Sequence, residues 1–249
     1  MLRNIGITIF DRAGLERLIA STLSGLTTAP RILEAGCGSV TNIKLPAESQ
    51  ITGLDISQRE LDANRILSER IVGDLQTYEF PADTFDLIVC WDVLEHLPRP
   101  EMALERFVGA LKPGGLLLIK IPNRNSVKAT IVRLTPYWFH CLVYRGLYGH
   151  RFGSPGVIPF RTFFRRAIGP HRLEAFAKQK ELCTELCQMF ESKIQLRFRE
   201  KLGIGDRLIT IGEWFVRIVS FGRLTLILSE CTYVFRKKAA LAYTPGRGS

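Results

Sequence analysis

Acidic residues are missing from a long middle stretch of the chain. Between Arg106 and Leu173 there is no Asp or Glu, whereas the same stretch holds twelve Lys and Arg residues. The whole chain carries a net charge of +10. An excess of this size favours an anionic partner, so nucleic acid, a phosphorylated substrate and a membrane surface are the classes to consider.

Long apolar runs are also missing. The best candidate, residues 214–229, is interrupted by Arg217 and Arg223, and a membrane-spanning helix needs ~20 apolar residues. The first ten residues contain Arg3 and Asn4 but no apolar stretch of adequate length, so we expect no signal peptide. We therefore predict a cytoplasmic protein whose membrane contact is at most peripheral, at the inner surface.

Cysteines are few and scattered, at positions 37, 90, 141, 183, 187 and 231. Cys183 and Cys187 are four residues apart and are expected to share a helix face, a spacing that suits two metal ligands. No second pair stands nearby to complete a tetrahedral site. We predict no metal, and reduced thiols in a reducing compartment.

The chain also lacks internal repeats and linker-like segments. Its 46% hydrophobic and 23% charged residues are ordinary for a globular protein, and 249 residues can bury a full core. We predict one domain over residues 1–249, with a core at 30–123, an insertion at about 124–171 and closing elements at 172–236.

A glycine-rich turn is the most informative feature that is present. Arg31–Leu33 forms a short apolar stretch typical of a buried strand, and Glu34-Ala-Gly-Cys-Gly follows. Gly36 and Gly38 open backbone conformations closed to other residues and let a ligand approach the main chain. A second strand ends at Asp55, about where a nucleotide-binding βαβ unit presents an acceptor to ribose hydroxyls.

Five ordered motifs together resemble the class I S-adenosylmethionine (SAM) dependent methyltransferases, most closely the group that includes quinone-biosynthesis and small-molecule enzymes. The motifs are Glu34–Gly38, Asp55, Gly73–Asp74, Phe85–Leu97 and Leu111–Ile119. The resemblance covers residues 30–123. It implies a Rossmann-like α/β fold with strand order 3-2-1-4-5-7-6, an antiparallel last strand, helices on both faces and a lid after strand 5.

The resemblance also implies which residues bind SAM. Asp55 would accept hydrogen bonds from both ribose hydroxyls, and Asp74 would meet the adenine amino group. Cys90 and Trp91 would contact the methionine part or the adenine plane. The full predicted set is Glu34, Gly36, Cys37, Gly38, Asp55, Ile56, Asp74, Leu75, Cys90 and Trp91.

One segment departs from the family pattern. Most members have a full helix after the glycine-rich turn, but here Pro46 breaks any helix in residues 40–49 beyond about one turn. Dinucleotide enzymes use such a helix N-terminus to bind phosphate. SAM has no phosphate, so this departure counts against an NAD enzyme more than against a methyltransferase.

Hydrophobic periodicity predicts the remaining elements. The expected helices are 11–23, 58–68, 100–111, 172–190 and 206–221, and the expected strands are 51–55, 71–75, 85–90, 116–121, 192–199 and 229–235.

The insertion is rich in aromatic and basic residues. Residues 127–148 are expected to form two short helices separated by Pro136, and phenylalanines then alternate with Arg151, Arg161, Arg165 and Arg166. Three interpretations remain open. Residues 127–166 could rest on an anionic membrane and admit an amphiphile, they could bind RNA by stacking, or their aromatic residues could simply pack on the sheet.

The predicted function is methyl transfer from SAM to a hydroxyl of an amphiphilic small molecule, such as a quinone precursor, lipid or secondary metabolite. A hydroxyl acceptor needs a base. His96 and His140 are the predicted catalytic residues, although a structural role of His96 is favoured. The other candidates are His150, His171, Tyr137, Tyr144 and Tyr148.

Two alternatives stay open. An RNA methyltransferase is less favoured, because Cys90-Trp-Asp-Val stands where base-specific members carry an Asn-Pro-Pro-Tyr-like motif. A non-catalytic partner subunit with this fold is the other alternative.

Overall fold

The fold is built on one seven-stranded sheet. A computed structural model describes residues 10–149, 162–163 and 165–239. The strands run in the order β3-β2-β1-β4-β5-β7-β6. Strands β1 to β5 pair in parallel, and β7 is antiparallel to both of its neighbours. The predicted topology is confirmed. The strands are β1 (Arg31–Ala35), β2 (Gln50–Asp55), β3 (Glu69–Val72), β4 (Phe85–Trp91), β5 (Leu111–Pro122), β6 (Leu182–Phe190) and β7 (Glu230–Lys237).

Helices cover both faces of the sheet. Several begin at a side-chain cap, as when Asp11 accepts from the amide of Gly14 and Ser57 from that of Glu60. As predicted, Pro136 separates two helices in the insertion. The helices are α1 (Arg12–Leu23), α2 (Gln58–Ala63), α3 (Pro100–Ala110), α4 (Val127–Leu134), α5 (Tyr137–Tyr148), α6 (Pro170–Gln179), α7 (Lys193–Lys201) and α8 (Asp206–Val219).

The central strands are buried on both sides, as expected for parallel strands. One core cluster packs the sheet against α3 and α6, and the other packs it against α1 and α2. The one carboxylate inside β4, Asp86, is neutralised at the start of the strand, where the ammonium of Lys112 donates to both its oxygens at 2.8 and 2.9 Å. Because the middle of the sheet is buried and apolar, the polar side chains that could bind a ligand lie at the ends of the strands.

The prediction of one helix over residues 172–190 is wrong. The helix ends at Gln179, Glu181 takes a positive φ of 54°, and Leu182–Phe190 forms edge strand β6. An edge strand with one exposed face carries several polar residues. The alternation of apolar and polar residues that is typical of a strand is therefore weak in this sequence. Cys183 and Cys187 consequently lie on a strand and not on a helix.

The prediction of a strand over residues 192–199 is also wrong, because this segment is helix α7. Ser192 caps it by accepting from the amide of Gln195 at 3.2 Å. Its alternating Ile194 and Phe198 are both exposed, so they do not mark a buried strand face.

Helix α2 ends at Ala63 and not at Ser68. The guanidinium of Arg70 donates to the carbonyls of Leu61, Asn64 and Leu67. These bonds take the place of the backbone hydrogen bonds that a longer helix would make. Strand β5 starts at Leu111, five residues before the predicted start, and β3 ends at Val72.

Within the described residues, no helix is long and apolar enough to cross a membrane.

Candidate active site

The glycine-rich turn follows β1 at the carboxyl edge of the sheet, the edge where open α/β sheets bind ligands. Gly36 and Gly38 have φ values of 70° and 51°, in the left-handed region. The amide of Gly36 donates to the carbonyl of Leu54 at 2.7 Å. A Cβ on Gly36 would lie 2.6 Å from a methyl of Val93, so the turn and the segment after β4 approach as closely as glycine allows.

Gly36→Ala is expected to destabilise the protein by about 2–4 kcal/mol, because it adds left-handed backbone strain to a steric clash with Val93. Gly109→Ala is the matched control, since Gly109 lies in α3 with open space around its Cα and should be neutral or slightly stabilised. Urea unfolding measures both changes. Equal urea midpoints for the two variants would contradict the close approach of Gly36 to Val93.

Asp55 is held rigidly at the end of β2. One carboxylate oxygen accepts from the amide of Gly38 at 2.9 Å, and the other accepts from the amide of Ser57 at 2.9 Å. Each oxygen keeps a further acceptor position. Ile56, the next residue, is 75% exposed and offers an apolar surface beside the carboxylate. This arrangement can hold a ribose beside an apolar plane.

Glu34 is the least satisfied acid of the turn. Its side chain is buried, and its Oε1 has no hydrogen-bond partner among the described residues. Burial raises the pKa of its carboxyl to about 8. A buried carboxylate with a vacant oxygen favours a cation or a hydrogen-bond donor, so the residue fits the cationic methionine part of SAM.

Asp74 lies beyond the end of β3, next to Asp55 at the end of β2. The amide of Gly73 donates to the carbonyl of Asp55 at 3.0 Å, which places Asp74 at the same edge. The Asp74 carboxylate accepts from both the backbone and the side chain of Gln76. Leu75 is buried in the core beneath this edge.

The two site cysteines are buried and chemically inert. Burial, followed by the charges of Asp55 and Glu34, raises the pKa of Cys37 to about 12. Cys90 is fully buried, and desolvation raises its pKa well above the ordinary value. Among the described residues, no group of three or more side chains could hold a metal ion.

Trp91 is half-buried and ordered by its neighbours. The ring of Phe10, just before α1, meets it edge-on at 5.8 Å. Arg12 and Lys120 place cations 5.9 Å from the ring centroid. The start of α1 therefore reaches over the site edge as well as packing on the sheet.

A charge cluster that sequence reasoning missed lies beside Trp91. Asp92 has a left-handed φ of 56°, and both its oxygens accept from the ammonium of Lys120 at 2.6 and 2.7 Å. Lys120 also pairs with Glu230 at the start of β7, and Lys128 pairs with Glu230 at 3.0 Å. The one available signal was Lys120 itself, a charge inside the otherwise apolar run 116–121.

Burial perturbs this cluster strongly. Asp92 keeps 40% of its side chain exposed, but desolvation by the surrounding protein raises its pKa, and the ammonium of Lys120 only partly opposes this shift. Burial opposes the charge of Lys120, but Asp92 and Glu230 outweigh it and raise its pKa. Glu95 is buried with an oxygen that lacks a partner among the described residues, and desolvation raises its pKa well above normal. Such perturbed groups at a ligand edge are typical of functional sites.

The predicted histidines lie in different places. His96 ends a short 3-10 helix, with Nε2 3.9 Å from the carboxylate of Glu95. His140 faces Thr135, whose hydroxyl and carbonyl both lie 3.1 Å from Nε2. His171 is exposed on α6. His150, Arg151 and Arg161, with the side chains of Tyr144 and Tyr148, lie outside the described residues.

The segment after the glycine-rich turn contains no helix, as the sequence predicted. In its place, a cleft of about 690 Å³ opens between residues 39–49 and residues 63–68. Glu34 and Asp55 are not among the residues that line this cleft. The missing helix thus changes the surface beside the site without removing the residues predicted to bind the cofactor.

A family profile described as a methyltransferase domain matches residues 9–154, more than half of the chain. The chain belongs to this methyltransferase-domain family. The matched region contains the glycine-rich turn, Asp55, Asp74, the Asp92–Lys120 pair, and α4 and α5, whereas Glu230 lies outside it. The predicted class I methyltransferase, with SAM as the family's cofactor, is confirmed at the level of family and fold.

A curated relative from Aeromonas salmonicida is named ubiquinone biosynthesis O-methyltransferase. It is 25% identical over 138 residues, which are 51% of this chain and 58% of the relative. The chain thus spans about half the length of the curated relatives it matches.

Two solved structures show the same fold. Phosphoethanolamine N-methyltransferase 2 from Haemonchus contortus, in complex with SAM, matches at TM-score 0.55 and 15% identity, over 91% of this chain and 53% of that one. The [4+2]-cyclase SpnF matches at TM-score 0.52 and 18% identity, over 94% and 88%. One fold therefore carries more than one chemistry.

Proposed function

We propose that this methyltransferase-family protein binds SAM at the carboxyl ends of β1, β2 and β4 and transfers its methyl group to a hydroxyl of an amphiphilic small molecule. The observation that best supports SAM binding is Glu34, a buried carboxyl whose Oε1 has no hydrogen-bond partner among the described residues. The cationic methionine part of SAM supplies the charge that this group needs.

The other cofactor contacts follow from the same edge. Asp55 would accept from the ribose hydroxyls through the lone pairs that Gly38 and Ser57 leave free. Ile56 would lie against the adenine plane. SAM supplies a methyl group on a sulfonium, so the protein has only to position the acceptor and handle its proton.

Asp92 is our candidate for the proton acceptor. Its side chain is 40% exposed and therefore within reach of a substrate, while Lys120 fixes the orientation of both oxygens. A raised pKa brings the carboxyl closer to the range in which general bases work. His140 faces Thr135, and this geometry makes it the weaker candidate.

An amphiphilic acceptor is supported by the surface around the site. Helix α5 exposes Trp138 and Leu142, which are 66% and 60% accessible. At the base of the insertion, burial and the charges of Arg133 and Arg166 lower the pKa of Arg124. Apolar and guanidinium groups within the same insertion suit a molecule with an apolar body and an anionic or polar head.

The name of the curated relative, a ubiquinone biosynthesis O-methyltransferase, points in the same direction. We extend the proposal to residues 127–166 as a lid that rests on an anionic membrane surface and admits the acceptor. Its apolar residues would enter the headgroup layer, and its arginines would lie beside the phosphates.

The test is transfer of a labelled methyl group from SAM to quinol, lipid and RNA acceptors. We expect label in a phenolic or lipid acceptor, and Asp92→Asn should lower the turnover number by about 100-fold or more with little change in SAM affinity. Asp62→Asn, on the exposed face of α2, is the control. Label in RNA alone would overturn the acceptor class. A folded protein that binds SAM but labels none of the three would favour a non-catalytic role.

A further inference from the structure

Helix α8 is amphipathic in an unusual sense, because its apolar side faces outward. Its one buried residue is Glu213. Large apolar side chains on the opposite face are 48–68% exposed, and Phe221, just beyond the helix, is 90% exposed. The apolar residues of this face are Leu208, Ile211, Trp214, Phe215, Ile218, Val219 and Phe221.

Glu213 explains why the polar side faces inward. Its carboxylate accepts from the amides of Leu226 and Ile227 at 2.6 and 3.0 Å and from the hydroxyl of Thr225 at 2.9 Å. Arg217, one turn later, donates to the same carboxylate at 2.6 Å. These bonds fix the rotation of α8 about its axis, so the outward direction of the apolar face is built into the fold.

Helix α7 is joined to α8 and also carries exposed apolar residues. Arg199 of α7 donates to Asp206 at the start of α8 at 2.7 Å, which joins the two helices. Exposed apolar residues follow one face of α7 at Ile194, Phe198 and Leu202. We call the exposed apolar residues of α7 and α8, together with Phe221, the outer apolar face.

The inner side of α8 is linked to the ligand edge of the sheet. The segment that Glu213 holds also bonds to the start of α4, where the amide of Val127 donates to the carbonyl of Thr225 at 2.8 Å. Strand β7 begins five residues later and pairs Glu230 with Pro122 at the carboxyl end of β5. The buried side of α8 is therefore tied to the segment that leads to Glu230, and the outer apolar face is on the opposite side of the helix.

Positive charge surrounds this face. The acids Asp206 and Glu213 are paired with Arg199 and Arg217, and Glu200 on α7 is an additional exposed acid. The exposed basic residues nearby are Lys193, Arg197, Lys201, Arg207 and Arg223. A second copy docked through the same face would bring two such basic sets together, whereas an anionic bilayer offers apolar depth and negative charge at once.

We propose that the outer apolar face docks on an anionic lipid bilayer, with α8 lying in the headgroup region. This surface is separate from residues 127–166, and its binding does not require the proposed acceptor or methyl transfer.

Vesicle sedimentation tests the proposal. The full chain should bind phosphatidylglycerol-containing vesicles and release them as salt rises, with little binding to pure phosphatidylcholine. Trp214→Ser/Phe215→Ser should lower the partition coefficient by about tenfold or more, since both side chains are exposed and their loss should not unfold the protein. Leu26→Ser/Ile66→Ser, with exposed apolar residues elsewhere, is the matched control and should bind as wild type.

Two further variants separate the explanations. Quenching of tryptophan fluorescence by brominated phosphatidylglycerol should fall in Trp214→Phe, because Trp214 is the residue placed at bromine depth. Trp138→Ser/Leu142→Ser should leave substantial binding in place. The proposal is wrong if wild type does not bind anionic vesicles, if only the Trp138 variant loses binding, or if Trp214→Ser/Phe215→Ser instead dissociates a dimer in lipid-free solution.

Discussion

Asp55→Ala is expected to weaken the binding of SAM by about 100-fold or more. The carboxylate would accept a charge-assisted hydrogen bond from each of two ribose hydroxyls. Each bond is worth about 1.5–3 kcal/mol. The substitution also removes the acceptor for the Gly38 amide at 2.9 Å, so the glycine-rich turn loses its anchor. Calorimetric titration with SAM and S-adenosylhomocysteine measures the loss.

Two controls accompany this variant. Asp62→Ala removes an exposed carboxylate from α2 and should leave affinity unchanged, because within the part of the chain that the structure describes Asp62 bonds to Gln58 of the same helix and not to the site. Asp55→Asn keeps one acceptor oxygen and should show an intermediate loss. Undiminished binding by folded Asp55→Ala protein would rule out the ribose contact.

Glu34→Gln is expected to weaken cofactor binding and, at the same time, to stabilise the ligand-free protein at alkaline pH. Burial raises the pKa of this carboxyl to about 8 in the folded protein, above its unfolded value of 4.5. The native state therefore binds the proton more tightly, and stability is lost as pH rises from the unfolded pKa through about 8. Glutamine has no such titration, so its advantage should reach about 2–4 kcal/mol at pH 9.

Urea unfolding at pH 5 and pH 9 checks the stability half of this prediction. For the binding half, the α-ammonium group that SAM and S-adenosylhomocysteine share favours ionised Glu34. Wild-type affinity for S-adenosylhomocysteine should consequently rise from pH 6 to pH 8, with proton release on binding, and the glutamine variant should lose both effects. Equal affinities of the two proteins at pH 8 would remove Glu34 from the cofactor site.

The geometry of the glycine-rich turn could be predicted because its signals are local. Gly36, Gly38 and Asp55 lie within the short segment from the end of β1 to the end of β2, where each residue type has its own stereochemical requirement. The central strands were equally readable, since burial on both faces makes them continuous apolar runs. The absence of a helix around Pro46 followed from proline chemistry alone.

The rest depends on contacts that no short window contains. Asp92, Lys120 and Glu230 come from three different strand ends that the sheet brings together. Strand β6 and helix α7 were misassigned because both are surface elements with exposed apolar residues, such as Phe198, so periodicity did not mark a buried face. The outward apolar face of α8 needed the bonds of Glu213, which reach a segment beyond the helix.

The central claim is that the glycine-rich turn and Asp55 bind SAM. The most direct measurement is calorimetric titration of the purified full chain with SAM and with S-adenosylhomocysteine. We predict saturable one-to-one binding of both, which the Asp55→Ala variant loses. A folded protein that binds neither molecule would contradict the claim and leave the methyltransferase fold here without its cofactor chemistry.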